Sequence, residues 1–266
     1  MDELVLMAFI ATCGTWFLTA LGAATVIFFK KCNHKILNLL LGFASGVMIA
    51  ASFWSLLLPA VEMADLNSDF PSFLVITSGF LFGSIFMWIS DKIVMYARNK
   101  ASTTEELNHS KKLNRIIMLV FSITLHNIPE GLAVGVAFGA LKNGYTMESL
   151  MGAITIAIGI GLQNFPEGAA VSLPLRREGY SRLKSFFLGQ ASGMVEPVAG
   201  IIGAMLVVYI NALLPYALSF AAGAMILVAV HELIPECQKE NNNSYFSTMG
   251  IISGFAIMTL LDVMLG

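Results

Sequence analysis

Two copies of a short polar motif lie inside long apolar stretches of the sequence. The first runs from His126 to Gly131 as His-Asn-Ile-Pro-Glu-Gly, and the second follows 37 positions later, from Gln163 to Gly168, as Gln-Asn-Phe-Pro-Glu-Gly. Residues three and four apart share a helix face, so in each copy the first residue, the asparagine and the glutamate point the same way. Imidazole, amide and carboxylate groups on one face are ligand types that divalent cations take.

Three glutamates stand in this apolar setting, namely Glu130, Glu167 and Glu196. An ionisable side chain at the centre of a bilayer costs about 2.5–3.5 kcal/mol on insertion scales, so it is kept mainly where it faces a partner or a cavity. The alternative is that buried polar residues only hold helices together through hydrogen bonds. Amides and hydroxyls would suffice for that purpose, so the glutamates favour a cation site.

The composition indicates the surroundings of these residues. Of 266 residues, 57% are hydrophobic and 12% are charged, whereas a soluble domain has about a quarter of its residues charged. We therefore expect an all-α, multi-pass integral membrane protein with no nucleic-acid partner.

Eight apolar segments are each long enough to cross about 30 Å of hydrocarbon as a helix. Segments 1 to 8 are predicted at about Leu4–Phe29, Ile36–Val61, Phe73–Ile89, Ile116–Leu141, Ser149–Leu175, Ser185–Tyr209, Pro215–Pro235 and Tyr245–Leu265. The polar stretch at about 98–115, between segments 3 and 4, is predicted to be a flexible cytoplasmic connector.

The basic residues predict the orientation. With eight spans, 14 of the 15 lysines and arginines fall on one side and only Lys142 on the other. The positive-inside rule then places both termini outside, in a plasma membrane or bacterial inner membrane.

The candidate ligands also share a depth. At 1.5 Å per residue, they lie about 12–21 Å from the cytoplasmic ends of their segments, near the midplane. They are Met48, His126, Glu130, Gln163, Glu167 and Glu196.

The sequence contains internal repeats in opposite orientation. Consecutive segments 4 and 5 carry the two motif copies, and segments 2 and 7 share a second echo, from Phe43 to Ile49 and from Phe220 to Ile226. Inverted repeats with a midplane site at their interface are typical of secondary transporters. We predict three helices, a central pair and three inverted helices.

The paired motifs, together with Gly189-Gln190-x-Ser192-Gly193-x-x-Glu196-Pro197, resemble the ZIP (ZRT/IRT-like) metal transporters and their GufA-like branch. The resemblance extends over all eight segments and implies a single transporter domain over residues 1–266. It implies uptake of Zn²⁺ or a related divalent ion into the cytoplasm through a two-metal site. By position, the first metal site would hold Met48, His126, Glu130, Gln163, Glu167 and Glu196, and the second Asn127, Glu130, Asn164, Glu167 and Glu196.

Charge arithmetic bears on the second ion. Three carboxylates leave a charge of −1 around one divalent ion and +1 around two, so we predict a bridged pair at high metal concentration with a weaker second ion. Some ZIP relatives have Asp where this chain has the neutral Asn164. The mixed ligands suit Zn²⁺ and also Cd²⁺, Fe²⁺, Mn²⁺ or Co²⁺, as transported substrates rather than cofactors, and we expect no cofactor.

Segment 7 ends with His231, Glu232 and Glu236 near the cytoplasmic side. One interpretation is a transient exit site for metal; the other is a helix-end cluster that bonds to water. Asp91 and Asp262 lie near segment ends, where we expect them to be solvated or paired with loop lysines or arginines.

The main alternative function is an intramembrane metal-dependent hydrolase, because a metal held by His and carboxylates can activate water. The inverted motifs argue against it, since an enzyme needs one asymmetric site, and we expect no enzyme activity. A passive cation channel and a homodimeric assembly remain open.

Overall fold

The computed structural model describes residues 2–28, 34–67, 70–103, 108–177, 179–238 and 244–265. Over these ranges all regular structure is helical. The first half contains α1 (Glu3–Phe28), α2 (His34–Ala51), α3 (Leu58–Asn67), α4 (Ser72–Thr103), α5 (Asn108–Ala140) and α6 (Met147–Arg177). The second half contains α7 (Arg182–Ala191), α8 (Val195–Tyr209), α9 (Leu214–Val228), α10 (Ile234–Gln238) and α11 (Ser244–Leu265).

Three pairs of consecutive helices each form one longer continuous helix that is interrupted by a turn of different pitch. A π-helical turn, Ser52–Leu57, joins α2 to α3, and a second, Ala229–Leu233, joins α9 to α10. A 3₁₀ turn, Ser192–Met194, joins α7 to α8. Single π-helical turns inside helices are uncommon and often lie at functional sites.

Among the described residues, seven continuous helical segments are long and apolar enough to cross a membrane. They are Glu3–Phe28, Lys35–Leu66, Ser72–Tyr96, Met147–Arg176, Arg182–Tyr209, Leu214–Gln238 and Tyr245–Leu265. The outer faces fit this assignment, because α4 exposes Phe73, Phe82 and Trp88 and α11 exposes Val263. The chain is a multi-pass integral membrane protein.

The expected flexible connector at 98–115 is wrong in its extent. Helix α4 continues to Thr103 and α5 already begins at Asn108. Segment 3, predicted to end near Ile89, is therefore the start of a 32-residue helix.

Four helix pairs form the closest packing, namely α2 with α11, α4 with α9, α1 with α6, and α5 with α8. Glycines permit backbone contact in these pairs. A Cβ on Gly83 would lie 1.9 Å from the carbonyl oxygen of Phe220, and one on Gly168 would lie 2.0 Å from that of Thr19. Small residues have this role in membrane helices, where the lipid gives no hydrophobic drive for association.

Candidate metal centre

The polar residues of the two motifs are brought together in the interior. His126, Asn127 and Glu130 lie on α5, and Gln163, Asn164 and Glu167 on α6. All six are buried, as are Glu196 at the start of α8 and Met48 on α2. Glu130 lies close enough to Glu167 and to Glu196 for their like charges to repel, so three carboxylates share one buried region.

The two motif copies contact each other directly. The amide Nε2 of Gln163 donates a hydrogen bond of 2.8 Å to Oε1 of Glu130. Glutamine at the first position of the second motif therefore meets the glutamate of the first, which follows from the close approach of α5 and α6.

Glu196 accepts hydrogen bonds on both carboxylate oxygens. Its Oε1 accepts from Asn127 Nδ2 at 3.2 Å and from Thr19 Oγ1 at 3.4 Å. Its Oε2 accepts from Asn164 Nδ2 at 2.8 Å and from Thr15 Oγ1 at 2.5 Å. Because these donors lie on α1, α5 and α6, the carboxylate at the start of α8 stands between these three helices.

Five oxygens of the motifs are buried without a hydrogen-bond partner among the described residues. They are Asn127 Oδ1, Glu130 Oε2, Gln163 Oε1, Asn164 Oδ1 and Glu167 Oε1. Buried acceptors without partners are costly. All five are ligand atoms that a hard or borderline cation accepts.

The imidazole of His126 lies against the second π-helical turn and α4. Its Nε2 lies 2.8 Å from Glu232 Oε1 and 3.4 Å from Asp91 Oδ1. The ligand atoms of Asp91, His126 and Glu232 all lie within 4.8 Å of one another, close enough to hold a metal ion. The expectation that Asp91 is solvated or paired with a loop cation is wrong, because α4 carries it into the interior beside α5.

The other polar residues around the second π-helical turn are more exposed to solvent than the motif residues. Glu232 is partly buried, whereas His231 and Glu236 are exposed. Glu167 interacts electrostatically with both His126 and Glu232. A chain of polar side chains therefore leads from the buried motif to the exposed end of α10.

The expectation for Asp262 is also wrong. This half-buried carboxylate accepts a hydrogen bond of 2.6 Å from the hydroxyl of Ser55, in the first π-helical turn. The contact arises because α11 packs against α2 and the π-helical turn that follows it.

Sequence reasoning missed Thr15 and Thr19, the α1 donors to Glu196. A signal was present, because Thr12, Thr15 and Thr19 repeat at helical spacing in an otherwise apolar segment and all three are buried. The link from Glu232 and Asp91 to His126 gave no such signal, because the three residues lie on separate helices.

The fold and the candidate site define a class: a multi-pass membrane protein with a cluster of buried, partnerless oxygens between its central helices. Residues 99–262 match the family model described as ZIP Zinc transporter. The human Zinc transporter ZIP11 is 39% identical, with 98% of each chain covered. Zinc transporter GufA of Myxococcus xanthus is 36% identical over 93% of this chain and 94% of the relative. Zinc transporter ZIPB of Bordetella bronchiseptica is 33% identical over 93% of this chain and 78% of the relative.

The chain therefore belongs to the ZIP family of metal transporters. The expectation drawn from the paired motifs is confirmed at the level of the family. Divalent metal transport follows as the function that the family and the buried site share.

Proposed function

We propose that this protein carries Zn²⁺, the ion named for its relatives, across the membrane into the cytoplasm through the buried site of α5, α6 and α8. The observation that carries the proposal is the set of five buried oxygens without partners. Each is an acceptor, and a cation is the ligand that satisfies acceptors while offsetting the charge of the glutamates.

The first ion is assigned to Glu130, Glu167, Gln163 and His126, with Met48 as the soft ligand. His126 needs a side-chain rotation to take part, because its Nε2 contacts Glu232. The second ion is assigned to Asn127, Asn164 and Glu196, shared with the other two glutamates; while one ion is bound alone, the partnerless oxygens of the two asparagines serve that ion. Since the oxygens of Glu196 already accept four hydrogen bonds, a second ion has to displace donors and binds more weakly.

His126 also suggests how an ion leaves the central site. Its imidazole stands between the buried motif and the group formed with Asp91 and Glu232. We infer that metal passes from the motif to this group and then to the exposed His231 and Glu236. Each transfer exchanges one oxygen or nitrogen ligand for another, which keeps the barrier between neighbouring sites low.

We further propose eight spans in a 3+2+3 inverted repeat, with Asn108–Ala140 as the remaining span. In this repeat, segment 1 corresponds to segment 6, 2 to 7, 3 to 8 and 4 to 5. The contact between α1 and α6 then corresponds to the contact between α8 and α5, and the contact between α2 and α11 to that between α9 and α4. The π-helical turns also correspond, since Ser52 and Ala229 are 177 positions apart, as are Phe43 and Phe220. Both termini outside, residence in the plasma or bacterial inner membrane, and a homodimer remain part of the proposal.

The test is metal uptake by proteoliposomes that contain the purified chain. We expect saturable uptake of Zn²⁺, weaker or slower uptake of Cd²⁺, Fe²⁺, Mn²⁺ and Co²⁺, and loss of uptake in Glu130→Gln. The matched control is Glu148→Gln, the same change at an exposed residue in the first turn of α6. No uptake by the wild-type chain, with metal-dependent hydrolysis of a lipid or peptide instead, would favour the hydrolase; linear, non-saturating flux would favour a channel.

A further inference from the structure

The hydrogen bonds around Glu196 assign this residue a role different from that of Glu130 and Glu167. We propose that, for the first ion bound, Glu196 is a positioning residue that orients Asn127 and Asn164, and that Thr15 and Thr19 of α1 hold it in place. The proposal rests on the proposed function, because it assumes that a cation binds the oxygens without partners.

The first step of the argument is the acceptor capacity of the carboxylate. An ionised carboxylate offers two oxygens with about four lone-pair sites in all. Both oxygens of Glu196 accept two hydrogen bonds each, one from an amide and one from a hydroxyl. By contrast, Glu130 and Glu167 each keep one oxygen without a partner. Glu196 alone has no lone pair free for a metal.

The second step concerns the two asparagines. Each donates its Nδ2 hydrogen to a different oxygen of Glu196 and leaves its Oδ1 buried without a partner. The Nδ2 of Asn164 also lies 3.4 Å from the carbonyl oxygen of Thr15, so both of its hydrogens are engaged. The amide orientation is thereby set, and each Oδ1 is turned away from the anion, available to a cation.

The third step concerns the threonines. The hydroxyl of Thr15 lies 2.5 Å from Glu196 Oε2 and 2.9 Å from the carbonyl of Thr12 in its own helix. Its single hydrogen goes to the charged acceptor, because charge-assisted hydrogen bonds are the stronger and shorter ones. The hydroxyl of Thr19 lies 3.4 Å from Glu196 Oε1 and also 3.4 Å from the carbonyl oxygen of Thr15, and the same preference assigns its single hydrogen to the carboxylate. Helix α1 therefore supplies half of the donors that hold the Glu196 carboxylate in place without metal.

The charge balance agrees with this division. Four neutral donors hold the Glu196 carboxylate in place without cancelling its charge, so the −1 that remains beside one divalent ion stays on Glu196. Glu130 and Glu167 supply the two negative charges next to the oxygens without partners. One divalent ion neutralises them. A single tightly bound ion is therefore complete without Glu196, and only a second ion would compete for its oxygens.

The test compares zinc binding by the purified full-length chain and by three variants. Thr15→Val with Thr19→Val removes both hydroxyls at nearly constant volume, and Thr15→Ser with Thr19→Ser keeps them. Thr12→Val is the matched control, because Thr12 is a buried residue of the same helix whose hydroxyl bonds only to carbonyls of α1. We expect the Kd of the first Zn²⁺ to rise about tenfold or more in the double valine variant, and to stay near the wild-type value in the serine variant and in Thr12→Val.

Unchanged or tighter zinc binding by the double valine variant would overturn the proposal, because a ligand released from two donors should bind metal better. If that variant does not fold, a wild-type structure with one zinc ion per chain decides. We expect both oxygens of Glu196 to keep their donors; a Glu196 oxygen at about 2.0–2.2 Å from that ion would sink the idea. Wild-type uptake that Glu130→Gln abolishes shows that the proposed function stands even where this inference fails.

Discussion

The imidazole Nε2 of His126 lies 2.8 Å from Oε1 of Glu232. This contact joins the first motif on α5 to the π-helical turn between α9 and α10, 106 positions away in the chain. It places the side chain that begins the motif at the border between the buried oxygens and the exposed end of the bundle. The contact between His126 and Glu232 therefore connects the proposed metal site to the proposed exit route.

The first prediction concerns that link. We expect Glu232→Gln to lower the maximal rate of zinc uptake about tenfold, because a charged hydrogen-bonding partner of His126 is lost. The KM should change less, since the central oxygens are intact. Uptake kinetics in proteoliposomes measure both constants. Glu62→Gln, an exposed carboxylate on α3, is the control, and a maximal rate equal to that of the wild type would remove Glu232 from the exit route.

The second prediction concerns the second ion. Asn164→Asp adds a carboxylate beside Glu196, where Asn164 now donates at 2.8 Å. Two neighbouring carboxylates repel, and a cation between them relieves the repulsion. We expect the variant to bind two zinc ions tightly per chain, and the wild-type chain to bind one tightly and a second weakly. Metal content after equilibrium dialysis checks the stoichiometry, and a single ion in both proteins would contradict the prediction.

The third prediction concerns pH. Protons compete with metal for imidazole and carboxylate ligands. Zinc affinity should therefore fall as the pH decreases from about 7 to 5. Calorimetric titrations across this range measure both the Kd and the protons released on binding. An affinity independent of pH would mean that the ion binds through groups that do not titrate there.

The fourth prediction concerns the close helix contacts. A Cβ on Gly83 or Gly223 would lie 1.9–2.0 Å from a backbone carbonyl oxygen of the facing helix. We expect Gly83→Ala and Gly223→Ala each to destabilise the protein by about 1–3 kcal/mol, as overpacking does. Thermal unfolding in detergent measures the loss. Gly152→Ala on α6 is the matched control, because its added Cβ meets nothing within 4 Å; equal melting temperatures in all three would contradict the packing.

The sequence by itself determined the membrane character, the helical class and the family. Apolar runs of helical length leave few other folds open, because the bilayer requires every backbone group to be hydrogen-bonded within the chain. The spacing of His126, Asn127 and Glu130 determined that they share a face of α5. The repeated Asn-x-Pro-Glu-Gly motif determined that α6 carries a matching set.

Only the tertiary structure decided which of these side chains contact one another. Helical spacing places His126 and Glu130 on one face, but the packing of α4 and the second π-helical turn decides that the imidazole meets Asp91 and Glu232. The same holds for Glu196, whose four donors come from three other helices. Spacing along the chain specifies relations within one helix, whereas contacts between helices depend on how closely glycine-bearing faces approach, which no local pattern encodes.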